Sequence, residues 1–173
     1  MHRIILIATL LSLVITQTGD TKTLISRSLV DLTLGMELAD FQKRFPNQEI
    51  TSSSSLQQGD RVFAITGRAK SVDAIWSSFY DGRLYRIEVF YSLAYSQSVS
   101  WDTLMDATER DYGQGRVVES SQGTVATWGD EASSLMLERR VVREGLRRYV
   151  ISLLDNAIYL LKGETCSPKR YQA

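Results

Sequence analysis

An α+β domain, an antiparallel sheet with two short helices on one face, is the fold class this sequence predicts. Two stretches carry apolar residues at helical spacing and have clear stop signals. Between and after them run strand-like segments joined by tight-turn dipeptides. The order helix, strands, helix, strands is that of an α+β domain. The two halves, 29–95 and 98–163, share this plan: a short amphipathic helix closed by Phe45-Pro46 or Tyr112-Gly113, a polar crossing, then antiparallel strands. That is the layout of a diverged tandem helix-then-hairpin repeat.

The elements follow in order. Residues 1–19 read as a signal peptide: Arg3 supplies a basic start, and Ile4 to Ile15 is apolar apart from Thr9 and Ser12. The run is too short to span a bilayer and longer than a typical core strand, its alternative reading. Residues 20–28 read as a flexible leader, 29–163 as a single domain and 164–173 as a polar tail. Leu34, Leu38, Phe41 and Phe45 mark one face of the first helix, with Gly35 in the turn before it and Pro46 at its end. A polar loop, Asn47 to Gly59, leads to a strand at Arg61–Arg68. Asp81-Gly82 joins Ala74–Tyr80 to Arg83–Tyr91 as a hairpin. On the returning strand Tyr85, Ile87, Val89 and Tyr91 share a face. A two-residue turn sets Trp76 opposite Ile87, whereas a three-residue loop with a bulge sets Ile75 there, and a one-residue slip changes every facing. The second helix spans Trp101 to Tyr112, with Ser100 as N-cap and Gly113 as stop. Strands are expected at Arg116–Ser120, Thr124–Trp128, Ser133–Val142, Arg147–Leu154 and Ala157–Leu161, with tight turns at Glu144-Gly145 and Asp155-Asn156.

Much familiar chemistry is absent from the sequence. The single histidine is His2, inside the expected signal peptide, so the processed chain has no Ser-His-Asp or Cys-His catalysis and no usual zinc site. Cys166 is the single cysteine and lies in the tail, so no internal disulfide framework exists. Without residues 1–19 the chain has 19 basic and 20 acidic residues, a net charge of −1, which argues against a nucleic-acid partner. Asp102, Asp106 and Glu109 line one side of the second helix. A glycosidase needs carboxyls facing each other across a cleft, so these read as a solvated stripe. No Ser-x-x-Lys motif accompanies any of the five lysines, and Gly113-Gln114-Gly115 follows a helix instead of opening one. No metal and no cofactor is expected, and no transmembrane helix in the processed chain.

Two groups of residues remain as binding candidates. The hairpin and its exit concentrate Trp76, Tyr80, Tyr85, Phe90, Tyr91 and Tyr95, more aromatics than one core face needs. Tyr80, Phe90 and Tyr95 are the candidate exposed face, and aromatic residues and arginine dominate binding hot spots. Burial on both faces of the sheet is the competing reading. Arg139, Arg140, Arg143, Arg147 and Arg148 flank the turn at Glu144-Gly145 and form a candidate anion patch. Its competing reading is a charged hairpin edge that deters strand pairing.

Leu32-Thr33-Leu34-Gly35-Met36 leading into a helix and then strands resembles the start of the BLIP-like fold group. That group includes β-lactamase inhibitor proteins and SmpA/OmlA-type outer-membrane assembly lipoproteins. The resemblance covers these five residues and the element order. It implies an exported, non-catalytic, protein-binding domain. The chain lacks the lipid-anchor cysteine of the lipoproteins and the paired cysteines of the inhibitors. The expected function is therefore an exported, non-enzymatic protein-binding or envelope-assembly module, periplasmic or secreted, with a protein partner in the envelope or outside the cell. The alternatives are a histidine-free carboxylate-dependent envelope enzyme and an anionic-surface binder using the Arg hairpin.

Overall fold

The computed structural model describes residues 24–46, 48–50, 60–143 and 145–162. The signal-peptide stretch, residues 20–23, the tail 164–173 with Cys166, and most of the polar loop lie outside the described residues.

The chain is mixed α+β, and its sheet is antiparallel throughout. A small ribbon, β1 (Ser28–Leu29) with β2 (Leu32–Thr33), precedes α1 (Leu38–Arg44). Four strands follow: β3 (Glu49–Ile50), β4 (Asp60–Ala69), β5 (Val72–Tyr80) and β6 (Arg83–Tyr91). Two helices, α2 (Leu93–Ser98) and α3 (Trp101–Tyr112), lead to four more: β7 (Arg116–Ser120), β8 (Gly123–Gly129), β9 (Ser133–Arg143) and β10 (Leu146–Asp155). Helix α4 (Asn156–Leu161) comes last. The main sheet has eight strands in the order β3-β4-β5-β6-β10-β9-β8-β7. Each half therefore contributes a four-strand meander, and the halves meet through their final strands, with Val89 opposite Ile151 and Ile87 opposite Leu153.

Alternation along the strands separates the two faces. One face carries Phe63, Ile65, Ile75, Ile87, Val89, Leu153, Leu137, Leu135, Ala126 and Trp128, which form the core. Helix α1 closes it on the first half: Phe41 is fully buried, with its ring about 5 Å from those of Phe45, Phe63 and Phe79. Helix α3 lies over the second half through Trp101, Leu104, Met105 and Tyr112. Its ends are those read from the sequence: the Ser100 hydroxyl accepts from the Thr103 amide at 3.0 Å, and Gly113 stops it at φ 77°.

Among the described residues, four helices replace the expected two on one face. Helix α2 arises because the Ser92 hydroxyl caps the Tyr95 amide, and the buried Ser96 hydroxyl accepts from the Tyr149 amide of β10. Ala157–Leu161, expected as a strand, lies within α4. The Asp155 carboxylate accepts from the Ile158 amide, which caps a helix where a tight turn was expected.

The hairpin register has an unexpected cause. Asp81 and Gly82 both have positive φ, 47° and 74°, and form a two-residue turn with Tyr80 opposite Arg83. A bulge at Tyr85 then shifts the ladder, because Phe79 pairs with Leu84 but Ser78 pairs with Arg86. Ile75 consequently faces the core, Trp76 faces away from it, and Tyr85 leaves the face of Ile87 and Val89. The leader is also tied down where it is described. Ile25 is buried in the core and its amide donates to the Asp130 carboxylate at 2.7 Å. Arg27 reaches Asp155 at 2.5 Å.

Candidate functional site

The face opposite α1 and α3 carries the main candidate site, and Val150 and Ser152 at its centre are fully buried. Trp76 of β5 is 36% exposed, and its ring packs against Phe90 of β6 with centroids 4.9 Å apart. Arg140 of β9 reaches across to Phe90, its guanidinium carbon 5.6 Å from the ring centroid, within cation–π range. Beneath these groups lie two buried carboxylates, Glu88 of β6 and Glu138 of β9. Arg86 donates to Glu88 at 2.6 Å. Arg140 donates twice to Glu138, at 2.8 and 3.1 Å, and lies 3.7 Å from Glu88, so one guanidinium sits between the two acids. Arg148 of β10 donates to Asp73 of β5 at 2.8 Å. A buried carboxylate is strongly unfavourable unless paired, and this alternation of charge supplies the pairing. The result is an ion-paired polar floor. The arginines are its more exposed members and the glutamates its buried ones.

The structure redistributes the residues read from the sequence. Phe90 lies on this face together with Arg140 and Arg148, so the aromatic and arginine candidates meet here. Tyr80 lies at one end of the sheet, beside Lys162. Tyr95 is in α2 and stacks on Tyr91 at 4.8 Å, away from Phe90. The five arginines do not form one patch. Arg139 points to the helix side, where it donates to the Thr124 hydroxyl and packs over Trp101 at 5.2 Å. Arg147 continues the helix-side alternation and is exposed, and Arg143 is exposed beside the turn. Strand alternation divides the cluster between faces, while Glu138, Glu88 and Asp73 already neutralise Arg140 and Arg148.

In the sequence Arg86 and Glu88 share the other face of the returning strand and Glu138 offsets part of the arginine charge, but the specific pairs, and Asp73, are not legible there. A second polar cluster, where α4 delivers Lys162, is not legible there either. The Lys162 ammonium donates to both Asp60 carboxylate oxygens at 2.7 and 2.6 Å and to the Tyr85 hydroxyl at 2.6 Å. It lies 4.3 Å from the Tyr85 ring centroid. Burial alone would lower the Lys162 pKa, but hydrogen bonds to Asp60 and Tyr85 outweigh it and hold the value above the ordinary lysine range.

Among the described residues, no cluster of three or more His, Cys, Asp or Glu side chains is arranged to hold a metal, and no helix is long and apolar enough to cross a membrane.

No family model matches the chain, and no curated protein matches its sequence. Among solved structures, a cysteine-rich secretory protein from Staphylococcus aureus is similar over 80% of this chain at 6% sequence identity, with a TM-score of 0.43. This chain spans half the length of that protein.

Proposed function

We propose that this is an exported, non-enzymatic binding module that docks a protein partner on the sheet face opposite α1 and α3. The observation that carries the reading is the contact of Trp76, Phe90 and Arg140 over a fixed ion-pair floor. Tryptophan and arginine are the residue types most enriched at binding hot spots, and a preformed surface loses little entropy on docking. The BLIP-like resemblance of the sequence also implies a protein-binding role.

The buried carboxylates favour a structural role for their acids over carboxylate catalysis. Glu88, Glu138, Asp155 and Asp60 each have a basic partner within 2.9 Å. The anion-binding alternative is left with Arg143 and Arg147, because the other arginines of that cluster are engaged internally.

The test is capture of partners from the envelope and secreted fractions of the source cells, with the wild type and three variants. Trp76→Ala and Phe90→Ala should each weaken retention of a specific protein by about tenfold or more. Tyr95→Ala, on α2, should leave it unchanged. Equal capture by wild type, Trp76→Ala and Phe90→Ala would remove this face from consideration.

A further inference from the structure

Helices α1 and α3 hold corresponding places at the start of the two halves but are seated differently. Helix α1 is short, yet its Phe41 is fully buried among three other phenylalanines. Helix α3 is the longest described helix and has a clear apolar stripe, yet none of its residues is buried. Trp101, Leu104, Met105 and Tyr112 pack on the core but stay partly exposed. A stripe of this kind normally packs to the density of the rest of a core. Here it packs on the core without being fully covered, and beside it is an open-sided pocket of about 230 Å³.

The walls of that pocket are mostly aliphatic. Leu104 and Tyr112 line it from the helix, and Leu135, Ile151 and Leu153 from the sheet. The Thr108 hydroxyl in the wall donates to the Leu104 carbonyl at 2.8 Å, so it asks nothing of an occupant. The polar lining residues, Ser26 and Ser28 of the N-terminal segment and Asp111 of the helix, are exposed. Asp111 is the single charged residue of the lining. An enclosed cavity of about 150 Å³ lined by aliphatic side chains accepts benzene; this pocket is larger but open on one side, so it can admit a small apolar body from solvent.

We propose that the pocket beside α3 is a binding site for a small apolar molecule, of the size of a medium alkyl chain or a bicyclic aromatic, with a neutral or cationic polar end beside Asp111. Filling it covers more of an apolar stripe that the protein alone leaves partly exposed. The rim carboxylate discriminates against an anionic end. The site is separate from the sheet face opposite α1 and α3 and stands or falls independently of it.

The test follows the methyl resonances of Leu104, Leu135, Ile151 and Leu153 by NMR during titration with octylamine, octanol and octanoate below their aggregation limits. Octylamine and octanol should give saturable shifts confined to these methyls. Octanoate should bind about threefold or more weakly than octylamine, the size expected of an exposed charge contact. Asp111→Asn should abolish that difference. Ala107→Phe, at the exposed cavity mouth, and Thr108→Leu, which fills the space from the wall, should each prevent the shifts while Ile75 and Leu84 keep their wild-type resonances. Absence of saturable shifts with all three probes, shifts scattered over the surface, or wild-type binding by a folded filling variant would overturn the proposal.

Discussion

Lys162 shows how much one side chain can hold in place. Helix α4 is six residues long, buries none of them, and exposes Leu160 and Leu161. Its anchor is the ammonium that follows it, buried against Asp60 and Tyr85. Lys162→Met should destabilise the protein by about 3–5 kcal/mol, because it strands the buried Asp60 charge. Lys162→Met combined with Asp60→Leu should cost less than the single change, since no charge is then left unpaired. Denaturant unfolding of the two variants checks the order. The titration has a definite sign. Lys162 has a folded pKa above its usual 10.5, and Tyr91 and Tyr149, both raised first by burial, lie above their usual 10.0. A raised value means the protonated form is favoured by folding. The stabilisation is complete below the unfolded values and disappears as pH rises through the folded ones. Thermal stability should therefore fall above pH 10 to 10.5, and the part due to Lys162 should vanish in Lys162→Met, as melting curves between pH 8 and 11.5 would show. None of this was legible in sequence, where Asp60 and Lys162 stand 102 positions apart and Lys162 is one of five lysines. The face opposite α1 and α3 was half legible: Phe90, Arg140 and Arg148 stood out by residue type, while Trp76 needed the register to place it.

Elements with local signals matched their sequence reading, and elements decided by distant contacts did not. Helix α3 carries its own cap, stripe and stop, and its ends agree with the spacing. Helix α4 carries a short apolar run whose periodicity suits either state. Its choice is made by Asp155, which caps the Ile158 amide while pairing with Arg27 from the opposite end of the described chain. Asp155→Ala should cost about 2 kcal/mol, combining an N-cap of about 1 kcal/mol with a charge-assisted hydrogen bond of similar size. Asp155→Asn keeps the capping oxygen and should cost about half as much, a comparison that thermal melts resolve. Gly113-Gln114-Gly115 likewise has a packing role. A Cβ at Gly115 would lie 2.6 Å from the buried Trp128 ring, whose indole N–H donates to the Gly113 carbonyl at 2.8 Å. Gly115→Ala should destabilise by about 1–3 kcal/mol through overpacking, measurable by denaturant unfolding. The bulge at Tyr85 had no comparable signal. It is fixed by what each side chain meets, with Ile75 taken into the core and the Tyr85 hydroxyl carried to Lys162.

At the scale of the whole molecule, the repeated plan raises the question of whether the halves are separate folding units. Their seam suggests they are not. Strands β6 and β10 lie at the middle of the sheet, so dividing the chain there would expose two strand edges where now there is a continuous ladder. The buried cluster is also continuous across the seam, taking Phe41, Phe63 and Phe79 from the first half and Trp128, Leu137 and Leu153 from the second. The N-terminal segment crosses the division again, since Ile25 and Arg27 are bound by Asp130 and Asp155. Each half alone would bury too small a core for its length, as domains near 60 residues are marginal. Unfolding should therefore be one cooperative transition, with the calorimetric enthalpy equal to the van't Hoff enthalpy, and neither 29–95 nor 98–163 should show a cooperative melt when expressed alone. Val150→Lys is the sharper probe. Val150 is fully buried in β10 opposite Phe90, so a charge there attacks the seam itself. If the halves are one unit, it should lower the single transition without splitting it. A split melt, with one half retaining its wild-type midpoint, would mean that each helix and meander folds alone and the shared sheet is only a contact between them.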